Sequence, residues 1–142
     1  LHASQHSFPT RRSSDLLDHM VKVARHEGAS LVLEQAKKLS ENLPIIVTGD
    51  FNAVPSDEPI QVLTNPSDPR HLTHSRTIAG FIYGPEWTFH DFGKIPYDKR
   101  EWIDYIFVKG NIKVLRHGVL TETLNNLFPS DHCPVISTLI LE

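Results

Sequence analysis

The sequence has a single cysteine, Cys133, a single methionine, and no apolar run of the length that a membrane span needs. A lone cysteine excludes an internal disulfide framework and a cysteine-based zinc site, and it leaves oxidising and reducing compartments equally open. No stretch approaches the roughly 18 to 20 consecutive apolar residues that cross a bilayer. The first residues show no basic head followed by an apolar segment of the signal-peptide kind. Excess charge of one sign is missing too: 14 Lys and Arg stand against 17 Asp and Glu, so no global basic field draws the chain to nucleic acid. What is present, 39% hydrophobic and 22% charged residues over a length of 142, is the composition of one small folded domain.

The stretch Leu1 to Asp15 is polar, aperiodic and rich in Ser, Arg and His, so 1–16 is expected to be non-native or disordered and 17–142 to be the folded part. From Leu17 to about Asn42 the residues Val21, Ala24, Leu31, Val32, Ala36 and Leu39 recur at three- and four-residue steps, which predicts an amphipathic helix. Pro44 stops it. The run Ile45-Ile46-Val47 is short, β-branched and continuous, as in a strand buried on both faces. A loop over Gly49 to Glu58 and a short helix over Pro59 to Leu63 follow. Asn65 to Pro85 carries three prolines and two glycines and reads as a surface connection. Trp102 to Val108 and Ile112 to Val119 are rich in β-branched and aromatic residues, and Gly110-Asn111 between them reads as the turn of an antiparallel hairpin. Val135 to Leu141 is the last strand. A helix feeding a buried strand points to a layered α/β arrangement.

Three elements carry chemistry. Gly49-Asp50-Phe51-Asn52 places an acid and an amide at the end of a strand, where α/β folds commonly put ligands. Two apart in an extended segment, Asp50 and Asn52 can point the same way, although such a pair also serves as a plain turn. Trp102-Ile103-Asp104-Tyr105-Ile106-Phe107-Val108 holds one carboxylate in an apolar strand, which either needs a partner for its charge or lies on a solvent face. Ser130-Asp131-His132-Cys133-Pro134-Val135 sets Asp131 and His132 side by side before a strand, either in one pocket or on the surface.

Taken in order, these elements closely resemble the C-terminal half of the endonuclease/exonuclease/phosphatase superfamily. The similarity extends to Leu17-Asp18-His19, Ala24-Arg25, Glu27-Gly28 and Thr88-Phe89-His90, and so covers 17–142. It implies the C-terminal half of a four-layered α/β sandwich, with two packed mixed sheets flanked by helices. The resemblance also assigns roles. Asp50 would orient or deprotonate the attacking water, and Asn52 would bind a phosphate oxygen or that water. Asp104 would accept from one ring nitrogen of His132, whose other nitrogen would donate to the phosphate. Asp131, with Asp50, would hold a divalent cation, magnesium or alternatively manganese, and His90 and His19 would line the substrate cleft. The reaction implied is in-line hydrolysis of a phosphodiester or phosphomonoester, in a nucleic acid, a small molecule or a lipid head group, by a monomer.

Two features depart from the family pattern. Leu16 stands where the resemblance expects a histidine, and the metal-binding Glu of the N-terminal half has no counterpart in this sequence. A fragment inactive by itself is therefore expected. The alternative is a non-catalytic remnant or binding module of the same fold. Of the remaining candidates, His71 and His74 are expected to be solvated, Lys99-Arg100-Glu101 to be a solvated loop, and Trp87 and Trp102 to be packing residues.

Overall fold

The computed structural model describes residues 11–142, with side chains from Val23 onward. Helix α1 spans Arg11–Ser40 and is followed by strand β1 (Ile45–Asp50) and helix α2 (Glu58–Thr64). Two short strands, β2 (Thr73–His74) and β3 (Phe81–Tyr83), precede β4 (Asp104–Lys109), β5 (Ile112–Val119) and β6 (Val135–Leu141). The expected two-sheet α/β architecture is present. One sheet has the order β1-β4-β2 with antiparallel pairing, and the other has the order β3-β5-β6, parallel at β3 and antiparallel at β6.

Helix α1 begins at Arg11, ahead of the Leu17 start that apolar spacing gives, because that spacing marks only a face that packs, not the length of the helical backbone. Its buried contacts also differ from the expected stripe. Ala29 and Leu33 enter the core, whereas Leu31 and Leu39 are exposed. Pro59 in the first turn of α2 fits the N-terminal preference of proline, and Ile60 and Leu63 are buried beneath it. With Leu72, Tyr105 and Phe107 these side chains form one core.

Three readings of the sequence need correction. Among the described residues the strand β1 is not covered on both faces: it sits at the edge of its sheet, with Ile46 exposed and Ile45 and Val47 only partly buried. Apolar composition alone does not say whether a second layer is there. The strands β4 and β5 are not a hairpin either. Gly110, at φ +93, turns the chain from one sheet into the other, and Pro44 lies so close that a Cβ there would stand 3.2 Å from its Cα. The stretch 65–85 is more than a surface connection, since Leu72 and Ser75 in it are buried and β2 and β3 each pair with a longer strand.

Among the described residues no helix is long and apolar enough to cross a membrane.

Candidate active site

The last residue of β1, Asp50, lies directly opposite the first residue of β4, Asp104, in the antiparallel register. Just before β6, the loop Ser130-Asp131-His132-Cys133 is brought against the same strand end. Together they frame a cleft of about 450 Å³ lined by Asp50, Asp104, Ser130, His132 and Val135 among others.

His132 Nδ1 donates to Asp104 Oδ2 at 2.9 Å. A carboxylate can only accept, so the proton is on Nδ1, and Nε2 remains for another task. The two side chains are 27% and 19% exposed, which places the pair at the cleft wall rather than in bulk water. Burial is the largest single influence on His132 and disfavours its charged form. The Asp104 hydrogen bond, with the carboxylates of Asp104, Asp50 and Asp131, outweighs it and holds the imidazole pKa above its ordinary value.

Asp50 grips the residue two positions on. Asn52 donates its backbone N–H to Asp50 Oδ1 at 2.8 Å and its side-chain amide to Oδ2 at 2.9 Å. Asn52 is not extended but left-handed, at φ 47, a conformation that asparagine tolerates better than most residues. The neighbouring Phe51 N–H donates to the Ile103 carbonyl at 2.9 Å, fastening this turn to the segment that carries Asp104. Tyr105 acts from below: its buried hydroxyl donates to the Ala53 carbonyl at 2.8 Å. Burial pushes that hydroxyl pKa up. No role for Tyr105 followed from the sequence. The available signal was an aromatic hydroxyl inside an apolar strand, which must find a partner when buried.

Asp131 lies between two cleft residues without lining the cleft itself. Its carboxylate accepts from Ser130 Oγ at 3.3 Å, and its carbonyl accepts from His90 N. His90 does not line the cleft. The ring is wholly buried, 4.1 Å from Phe128 between ring centres, and its Nδ1 accepts from the Gly93 N–H at 3.0 Å. Its backbone N–H supports the Asp131 carbonyl from the interior side. Burial, the largest influence, pushes its pKa down. The His19 side chain and the segment 1–10 lie outside the described residues.

The other expectations divide. Trp87 and Trp102 are buried packing residues. Arg100 is not a free solvated cation, because its guanidinium lies 4.3 Å from the Trp87 ring centre and donates to the Ile95 carbonyl. His74 is not solvated. Its ring packs against Trp102, Tyr105, Phe107 and His117, and burial pushes its pKa down to about 3.

A sequence profile of the endonuclease/exonuclease/phosphatase family matches residues 13–132. Among solved structures, an endonuclease/exonuclease/phosphatase from Bacteroides vulgatus is 31% identical, with a TM-score of 0.78 over 85% of this chain and 45% of its own. The mannosyl-6-phosphatase of Bacteroides thetaiotaomicron VPI-5482 is 34% identical, with a TM-score of 0.73 over 84% of this chain and 46% of its own. The human Nocturnin catalytic domain shares the fold at 22% identity, with a TM-score of 0.55 over 82% of this chain and 42% of its own. The chain therefore spans less than half the length of these relatives. Among curated proteins, none matches it.

Proposed function

The chain belongs to the endonuclease/exonuclease/phosphatase family, and from that premise we propose that its cleft forms part of the site of a divalent-metal-dependent phosphate-ester hydrolase. The observation that carries the reading is the hydrogen bond from His132 Nδ1 to Asp104 on the wall of the cleft that Asp50 also lines. Asp50 orients the attacking water and draws its proton. Asn52, held by Asp50, offers its amide to a phosphate oxygen. His132 Nε2 donates to the phosphate as negative charge builds there, from the charged imidazolium that Asp104 stabilises by accepting at Nδ1.

The ligand types suit a hard cation: Asp50 on the cleft and Asp131 beside its lining would offer carboxylate oxygens, which magnesium prefers and manganese accepts. Among the described residues, however, no three His, Cys, Asp or Glu side chains cluster to hold an ion. The pair would need further ligands from outside these residues. The ion, when bound, neutralises charge on the phosphate group.

A small phosphorylated compound, such as a sugar phosphate, is favoured over a polynucleotide. Among the described residues no Lys or Arg lines the cleft, and polynucleotide binding rests on cations that meet successive phosphates. The 34% identity to a mannosyl-6-phosphatase points the same way. The test joins this chain to an upstream half of the kind its relatives carry and measures phosphate release from mannose 6-phosphate with magnesium. Turnover that vanishes with a chelator is expected. Full turnover in excess chelator, or a preference for DNA or RNA over the sugar phosphate, would overturn the proposal.

A further inference from the structure

Thr88 is fully buried and lies outside the cleft lining, yet it joins both halves of the Asp104 and His132 pair. Its Oγ1 accepts the backbone N–H of Ile103 and that of Asp104, each at 3.1 Å. Its carbonyl accepts the N–H of Cys133 at 2.7 Å. The next residue, Phe89, bridges Glu101 on one side and His132 on the other, with its ring centre 4.9 Å from that of the imidazole. In a regular strand successive N–H groups point to opposite sides. Here two successive ones meet at one oxygen, so the backbone turns at the entry to β4, and this turn sets the direction in which the Asp104 side chain leaves the strand.

We propose that Thr88 is a positioning residue for the Asp104–His132 pair, its hydroxyl aiming the carboxylate and its carbonyl fixing the loop that carries the imidazole. The inference deepens the hydrolase reading and rests on it for its functional meaning, although the geometry stands by itself. Buried hydroxyls that accept two backbone N–H groups leave two donors unsatisfied when removed. Valine keeps the shape of threonine without the oxygen, and serine keeps the oxygen without the methyl.

The test is the ¹⁵N spectrum of the His132 ring, recorded on the 142-residue chain above the pH at which the imidazole loses its charge. Ring nitrogen shifts show which nitrogen carries the proton. The Nδ1–H form should dominate in the parent chain and in Thr88→Ser, and should give way to a majority of Nε2–H in Thr88→Val. If Thr88→Val fails to fold, Thr88→Cys replaces it, since sulfur accepts N–H bonds weakly, and the same loss is expected. Retention of the Nδ1–H form in a folded Val or Cys variant overturns the proposal, and so does its loss in Thr88→Ser. Activity is not the readout, so a failure of the hydrolase reading would appear separately, as mannose 6-phosphate turnover that survives excess chelator.

Discussion

Asp50 and Asp104 face each other across the β1–β4 ladder, and each carboxylate is engaged by a different donor. Directly opposed like charges destabilise a sheet. Here the repulsion is offset by the two Asn52 hydrogen bonds on Asp50 and by the His132 ring on Asp104. The pairing also separates the two acids by role, one open to water and the other committed to an imidazole.

In a protein completed with an upstream half, Asp104→Asn and His132→Ala should each lower turnover by roughly 10²- to 10⁴-fold, the range for a general acid–base group. The double variant should lose little more, because both changes remove one unit. Steady-state kinetics on the four proteins check this, and losses that multiply would sink the pairing.

Asp50→Asn should abolish turnover near neutral pH while leaving the far-ultraviolet dichroism unchanged. Asn52→Gly separates backbone from side chain at the next position. Glycine accepts the left-handed φ of 47 without strain, so the fold should stand while phosphate affinity falls. A raised KM in the completed protein is the expected sign, and an unchanged KM would show that the Asn52 amide does not meet substrate.

The 142-residue chain alone should show at most weak magnesium-dependent hydrolysis of an aryl phosphate, because an incomplete ligand set holds that ion poorly. Addition of a separately expressed upstream half should raise the rate. A rate for the chain alone equal to that of the joined protein would mean that its own residues suffice.

Acid should weaken the fold through His74 and His117. Burial, chiefly, pushes their pKa values down to about 3 and about 4, with Arg76 adding to the effect on both. The unfolded chain takes up these protons near the ordinary value of 6.5, well before the folded one does. Their contribution is therefore complete above 6.5 and is lost as pH falls from there to about 4 for His117 and to about 3 for His74. The melting temperature should drop over that window, and His74→Phe should flatten the slope. An equal slope in the variant would show that other groups control it.

Much of this architecture could be read from the residues. The strands β5 and β6 and helix α2 announce themselves through β-branched runs and through proline at a helix start, and the ordered Asp50, Asp104 and His132 motifs name the cleft. Pairing partners could not be read. Nothing in Gly110-Asn111 distinguishes a hairpin from a crossing between sheets, because either needs one positive φ. The two-residue β2 and three-residue β3 are too short to show a period and exist only by pairing with longer strands. In the sequence His74 looks like a solvated histidine and His90 like a cleft residue, and only packing against Phe128, Trp102 and Tyr105 reveals them as interior residues. The spacing of Asp50 and Asn52 suggests two side chains pointing the same way from an extended segment, or a plain turn, and does not show the left-handed conformation in which Asn52 bonds to Asp50.

The acid that holds His132 begins a strand of one sheet, whereas His132 stands at the threshold of a strand of the other. The 2.9 Å between them is therefore a gauge of the spacing between two layers. A substitution far from the cleft that thickens or thins the packing between those layers would lengthen this contact without altering any residue that meets substrate. Such variants would lose some stability, as core volume changes do, and would also lengthen the contact between His132 and Asp104. Under the hydrolase proposal, interior positions distant from the cleft thus become places where the rate would be tuned.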